Sequence, residues 1–210
     1  MTKVLIADDH PVFRRGLKDI LDAQRDIELV GEADTGHKAL EMVRKQPWDV
    51  LVLDVTMPGL GGIEILSILK QEQPKLPVLI LSAHPENQYA VRLLRAGAAG
   101  YMTKETAPQE LIRGLRRILQ GAKYVSETLA EKLAFDLGAQ NEKKPHDLLS
   151  DREYEIMRMI ASGKPLGKIA SELALSPRTV STYRSRVLEK MRMKSNADLI
   201  RYALQNKLID

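Results

Sequence analysis

The chain has 210 residues, 44% of them hydrophobic and 4% aromatic, enough for one large or two small packed domains. It contains no cysteine, which excludes a disulfide framework, a thiolate metal site and a cysteine nucleophile and suits a reducing compartment. The net charge of +4 is unevenly placed: residues 1–125 hold 17 Lys/Arg against 16 Asp/Glu, whereas residues 148–210 hold 12 against 7, so the C-terminal part is the one expected to meet a polyanion.

Short β-branched runs recur at "VLIAD" (4–8), "IELVGEA" (27–33), "VLVLD" (50–54), "PVLILS" (77–82) and "GYMT" (100–103), each separated by an amphipathic stretch of helical length. This alternation predicts a doubly wound, five-stranded parallel sheet with helices on both faces. Pro11 opens the first helix, Thr35 can cap the second, and Pro108 opens the fifth. The longest apolar stretches fall far short of the ~20 residues that cross a bilayer. The N-terminus has no signal-peptide pattern, so a cytoplasmic protein without a membrane partner is expected.

After residue 125 the strand pattern ends. Residues 126–137 read as a helix, and "GAQNEKKPHD" (138–147) as a polar linker. "LLSDREYEIMRMIASG" then restarts a helical pattern: Ser150 and Glu153 form a capping box, Ile156, Met157 and Ile160 share one face, and Gly163 stops it. Helices follow at about 166–174, 177–192 and 196–206, with Ser176 capping the third of the four and Pro177 opening it.

The carboxyl ends of strands in an open parallel sheet form its binding edge. Asp8 and Asp9, Asp54, Ser82 and Lys104 all fall there. Two adjacent carboxylates repel and resist desolvation, so a cation is expected among them. A hard ion such as Mg²⁺ favours carboxylate and carbonyl oxygens, with Asp9 and Asp54 as direct ligands and Asp8 acting through water. A carboxylate beside Mg²⁺ can also attack phosphorus. The chain lacks a G-x-x-x-x-G-K-[ST] loop, which points to a small or protein-borne phosphoryl donor rather than bound ATP.

With "LDVTMPGLGG" around Asp54, Ser82 in "LSA" and "GYMTK" ending at Lys104, residues 3 to about 122 resemble the receiver domain of two-component response regulators, a flavodoxin-like α/β fold. The resemblance implies that Asp54 is the phosphoacceptor and that Asp8, Asp9, Asp54 and the Thr56 carbonyl hold Mg²⁺. It further implies that Ser82 and Lys104 grip the phosphoryl group and that Tyr101 is a ring that relocates on activation. By its own residues alone Tyr101 fits core filling equally well. Pro58, Gly59, Gly61 and Gly62 read as a shaped turn beneath the site. His10 and His84 read as loop residues without a relay role, His84 lining the site.

In "IASELALSPRTVSTYRSRVLEKMRMK" (169–194), Ala170, Leu173 and Leu175 face one way on the first helix, and Val180, Val187, Leu188 and Met191 form a seam on the second. The remaining faces carry Arg178, Arg184, Arg186, Lys190, Arg192 and Lys194 against Glu189 alone. A helix with short polar side chains and flanking cations suits the major groove. Residues 148–209 resemble the LuxR-type helix-turn-helix of the NarL/FixJ response regulators. This places Ser181, Thr182 and Ser185 toward bases and Lys168, Arg178, Thr179, Tyr183, Arg184 and Arg186 toward the DNA backbone, with "ADLIRYALQ" as a dimer face. Two departures stand out: "KPLGKIA" replaces the usual polar run before Ile-Ala, and Tyr183 stands where His is usual.

The expected organisation is a receiver (1–124), a linker helix and linker (125–147) and a helix-turn-helix domain (148–210). A cognate histidine kinase, DNA and a second copy of the chain are the expected partners. The competing reading is a Mg²⁺-dependent phosphatase or phosphotransferase with Asp54 as nucleophile. It leaves the basic helices unexplained, and such enzymes generally place a second Asp where this chain has Thr56.

Overall fold

A computed structural model describes residues 1–57, 60, 62–83, 86–138 and 144–209. Pro58, Gly59 and Gly61 of the expected turn, His84, and residues 139–143 of the expected linker lie outside the described residues. The chain divides into two compact units, Met1–Ala134 and Phe135–Asp210.

The first unit is built on a five-stranded parallel sheet, β1 (Thr2–Ala7), β2 (Ile27–Ala33), β3 (Val50–Asp54), β4 (Val78–Ser82) and β5 (Gly100–Thr103), in the order β2-β1-β3-β4-β5. Around it run α1 (Pro11–Asp22), α2 (Gly36–Lys45), α3 (Gly62–Glu72), α4 (Glu86–Arg95) and α5 (Ala107–Leu119). The order reverses between β1 and β3, so the chain leaves those strands in opposite directions and opens a crevice at their carboxyl ends. All residues of β3 and β4 are buried, as expected for strands covered on both faces. Val4, Ile6, Val52, Leu79, Leu81 and Met102 pack with Leu17, Leu21, Leu111 and Leu115 on the α1/α5 side. By strand alternation Tyr101, fully buried, lies on the face opposite Met102.

The expected caps form: Thr35 Oγ1 accepts from Lys38 N–H at 3.3 Å, and Pro11 and Pro108 open their helices. The first strand ends at Ala7, one residue short of the expected Asp8. The reason is local: Asp8 Oδ1 accepts the His10 N–H at 2.7 Å, turning the chain before α1.

α6 (Glu127–Gly138) follows, and a short 3-10 turn (Pro145–Leu148) leads into α7 (Asp151–Ala161), α8 (Leu166–Glu172), α9 (Pro177–Lys190) and α10 (Asn196–Gln205). These four helices enclose Ile156, Met157, Ile169, Val180, Val187 and Leu199. The Ser150/Glu153 capping box is present, and Gly163 takes φ +79° at the end of α7. The last three helices stop two residues, two residues and one residue earlier than their expected ends. Ala174, Arg192 and Lys207 adopt φ +51°, +54° and +52° there, closing each helix in the left-handed conformation without a glycine. Among the described residues no helix is long and apolar enough to cross a membrane.

Candidate functional site

The carboxyl edge of the sheet gathers groups that are far apart in sequence. Asp54 ends β3, Ser82 ends β4, Asp8 and Asp9 follow β1, and Lys104 follows β5. Asp8, Asp54 and Ser82 are fully buried; the side chains of Asp9 and Lys104 are 27% and 14% exposed. Asp54 is held from both sides. Its Oδ1 accepts the Thr56 N–H at 2.9 Å and the Thr56 hydroxyl at 3.0 Å, and its Oδ2 accepts from Lys104 Nζ at 2.8 Å.

Lys104 Nζ also stands 2.8 Å from Asp8 Oδ2, and the Phe13 ring covers it with its centroid 5.0 Å away. Burial depresses the Lys104 pKa, but hydrogen bonding to Asp54 and Asp8 outweighs it and holds the ammonium above the ordinary lysine value. Asp8 is fixed through its backbone: its carbonyl accepts Arg14 Nη1 at 2.6 Å, and Arg14 in turn pairs with Glu32 through Nε at 3.2 Å.

One ammonium cannot serve three carboxylates. Asp8 Oδ2 and Asp9 Oδ1 are shut off from solvent and accept no aligned hydrogen bond, although Lys104 Nζ and His10 Nδ1 stand 2.8 and 2.7 Å from them. The Lys104 ammonium offsets part of the charge on Asp8 and Asp54, while Asp9 is met by His10 alone; a divalent cation would serve all three carboxylates. Asp8, Asp9, His10 and Asp54 each offer a ligand atom, and these atoms lie within 4.8 Å of one another. The donor set is compatible with a divalent cation.

His10 is the member that sequence reading left in a loop. Pro11 starts a helix and so fixes His10 at its N-terminal boundary, directly after the two aspartates; that adjacency was the available signal. Phe13 and Arg14 lie three and four residues on, one helical turn away on the same side, and their roles follow from that spacing.

The second unit presents the other candidate surface. Ser176 Oγ accepts the Thr179 N–H at 3.0 Å and so caps α9. Lys168, Arg178, Ser181, Thr182, Ser185 and Arg186 are exposed, and Thr179 and Tyr183 are half-buried. The Thr182 and Ser185 hydroxyls bond back to the carbonyls of Arg178 and Ser181, both at 3.1 Å. Arg184 differs from its neighbours: half-buried, it donates through Nε to Asn196 Oδ1 at 2.7 Å, tying α9 to the start of α10. Lys190 pairs with the buried Glu153 at 2.7 Å.

Arg152 and Arg158 are buried as well. They donate to the carbonyls of Leu173 and Leu208, at 3.1 and 2.7 Å, near the ends of α8 and α10. Four of the basic residues that make this unit cationic are thus committed to internal bonds, and Lys168, Arg178, Arg186, Arg192, Lys194 and Lys207 are left exposed on and after α8 and α9.

Residues 4–133 match the response regulator receiver domain, and residues 147–203 match the bacterial regulatory proteins of the luxR family. The chain is 37% identical over 211 residues to the response regulator GacA of Pseudomonas aeruginosa, covering 100% of this chain and 99% of that protein. Among solved structures it is similar to the RcsB response regulator of Salmonella typhimurium, with 27% identity, a TM-score of 0.58 and 97% and 98% of the two chains covered. It is also similar to RcsB in a structure of two RcsB dimers bound to two parallel DNAs, with 25% identity, a TM-score of 0.61 and 100% and 99% covered.

Proposed function

As the chain belongs to the two-component response regulators that join a receiver domain to a LuxR-type DNA-binding domain, we propose that Asp54 accepts a phosphoryl group from a histidine kinase and thereby controls DNA binding by α9. The observation that carries this reading is the placement of Asp54: a buried carboxylate gripped by Thr56 and Lys104, beside two carboxylate oxygens that lack aligned donors.

Mg²⁺ held by Asp8, Asp9, Asp54 and the Thr56 carbonyl would supply charge neutralisation between carboxylate and phosphoryl donor. An Asp54 oxygen forms the new bond to phosphorus as the bond to the kinase imidazole nitrogen breaks. Lys104 then holds a phosphoryl oxygen in place of the carboxylate oxygen it holds at rest, Ser82 holds another, and the Tyr101 ring, already fully buried in this structure, relocates with it. Charge-assisted hydrogen bonds contribute ~1.5–3 kcal/mol each, and turning a 1:99 equilibrium into 99:1 needs about 5.5 kcal/mol. Two or three such contacts therefore suffice.

In the DNA complex, Ser181, Thr182 and Ser185 approach bases and Lys168, Arg178, Thr179, Tyr183 and Arg186 approach phosphates. α10, where Leu204 is 53% exposed, meets a second copy. Two copies then address half-sites ~34–36 Å apart. The receiver extends over residues 1–124 and the DNA-binding domain over 148–210, and the protein acts in the cytoplasm as a stoichiometric switch rather than by turnover.

The test is intact mass after incubation with acetyl phosphate, with and without Mg²⁺, for the wild type and Asp54→Asn, followed by fluorescence anisotropy on promoter DNA. A Mg²⁺-dependent gain of one phosphoryl group, absent in Asp54→Asn, with tighter DNA binding, is the expected result. No gain, or equal DNA affinity and oligomeric state in both forms, overturns it, and turnover beyond one equivalent favours a phosphatase.

A further inference from the structure

Resting on the reading of Asp54 as a phosphoacceptor that controls DNA binding, we propose that Tyr124 is a positioning residue that joins β5 to the linker helix α6. The state of the site then reaches the linker through this one residue.

β5 is an outermost strand of the sheet, and the chain itself closes part of its free edge. After α5 the backbone returns there. Tyr124 donates its N–H to the Ala99 carbonyl, and its own carbonyl accepts the Tyr101 N–H, both at 3.0 Å, which makes a single parallel bridge with Gly100. Tyr101 stands three residues before Lys104, whose Nζ holds Asp54 Oδ2 at 2.8 Å and whose N–H donates to the Ser82 carbonyl at 2.8 Å. On the other side, α6 begins three residues after Tyr124.

The side chain fits with little slack. Tyr124 is 8% exposed, and its ring lies between β5 and α5. A β-carbon at Gly100 would stand 2.7 Å from the Tyr124 carbonyl oxygen and 3.0 Å from its Cβ, and one at Gly114 would stand 3.3 Å from its Cγ and Cδ1. Both glycines leave space that the tyrosine fills. Its hydroxyl donates to Glu110 Oε2 at 2.6 Å, and Arg113, itself paired with Glu110, places its guanidinium carbon 5.9 Å from the ring centroid. Burial, and then the bond to Glu110, hold the phenol above the ordinary tyrosine value, so it remains a donor at neutral pH.

The start of α6 is held as well. Ser126 Oγ accepts the Leu129 N–H at 3.1 Å, capping the helix, and Leu129 is buried. A shift of β5 that carries Tyr101 therefore carries Tyr124, and two residues later the cap that sets the first turn of α6. An aromatic that only filled the core would need neither backbone bonds to β5 nor a hydroxyl partner on α5. Tyr124 has both.

The experiment uses the full-length protein, unphosphorylated and after incubation with acetyl phosphate and Mg²⁺, as wild type, Tyr124→Phe and Tyr124→Leu. Loading is read from intact mass, amide exchange from hydrogen–deuterium labelling, and DNA affinity from anisotropy. In the wild type, phosphorylation is expected to change exchange at the Tyr101, Tyr124 and Leu129 amides about tenfold. Both variants are expected to load as the wild type does. The ratio of DNA affinities between phosphorylated and unphosphorylated forms should fall about threefold in Tyr124→Phe, which loses one hydrogen bond, and about tenfold in Tyr124→Leu. If Tyr124→Leu fails to fold, wild-type exchange and Tyr124→Phe decide. A loaded wild type with unchanged Leu129 exchange, an unchanged affinity ratio in Tyr124→Phe, or reduced loading of that variant overturns the inference and leaves the phosphoacceptor reading standing. A wild type that does not load, or whose loaded form binds DNA no differently, overturns both.

Discussion

Lys104 Nζ donates to Asp54 Oδ2 at 2.8 Å from the far side of the sheet edge, so the residue proposed to accept phosphate is paired with the residue proposed to hold it. The same ammonium occupies Asp8 Oδ2 and therefore competes with any cation entering the pocket. Unit charges ~4 Å apart interact by about 4 kcal/mol at an effective dielectric of 20, before relaxation of the surrounding charges. Lys104→Met is expected to raise Mg²⁺ affinity about tenfold while lowering thermal stability in the absence of Mg²⁺. Calorimetric titration and melting curves with and without the ion check both.

Gly62 lies against the backbone it supports. A β-carbon there would stand 2.5 Å from the Asp54 carbonyl oxygen and 2.6 Å from Val55 Cα, atoms that cannot swing aside. Gly62→Ala should cost about 1–3 kcal/mol, read from urea denaturation, and slow phosphorylation by displacing Asp54.

Glu153 provides a pH prediction for the second unit. Burial pushes its carboxyl pKa up, but hydrogen bonds from Lys190 and Ser150 outweigh this and hold it below the ordinary value. A depressed folded-state pKa means that the stability it contributes is present above the unfolded-state value, ~4.3, and is lost as pH falls through the lower folded value. Glu153→Gln should therefore weaken hydrogen-exchange protection in α7 and α9 at neutral pH. The difference from wild type should shrink below about pH 4.

Two arginines on one helix should separate cleanly. Arg186 is exposed, and Arg186→Ala is expected to weaken binding similarly on all DNA sequences and to flatten the slope of log affinity against log salt by about 0.9. Arg184 is engaged with Asn196, so Arg184→Ala should lower the stability of the second unit as well as DNA affinity. Salt-dependent anisotropy and melting curves distinguish the two.

Lys207 takes φ +52° at the end of α10 with its side chain exposed. A non-glycine residue in the left-handed region is strained by roughly 1 kcal/mol. Lys207→Gly should therefore stabilise the protein slightly, by about 0.5 kcal/mol once the extra freedom of the unfolded glycine is counted. Chemical denaturation gives the sign.

The sheet and its binding edge were legible because parallel strands all point their carboxyl ends the same way. Once the β-branched runs are located, Asp8, Asp54, Ser82 and Lys104 must share an edge. The capping box at Ser150 and the cap at Ser176 were equally plain, since their chemistry is local. Direction was not legible. A count of basic residues does not distinguish Arg186, which faces solvent, from Arg152 and Arg158, which turn inward to helix-end carbonyls 21 and 50 residues away. The ends of the last three helices were hidden for a related reason: Ala174, Arg192 and Lys207 carry no turn signal, and their backbone is set by the closing bonds from the Leu175, Met193 and Leu208 N–H groups to the Ala170, Leu188 and Ala203 carbonyls.

β3, like β4, is buried along its whole length and bonded to a strand on each side, so Asp54 sits at the tip of a stiff element. A change of charge there has no soft strand in which to dissipate. The displacement it demands is passed to whatever touches the carboxylate from outside the strand, namely the Thr56 turn and the Lys104 segment after β5. Stiffness at the point of input thus confers directionality: the fixed strand acts as the reference against which the two neighbouring loops are measured.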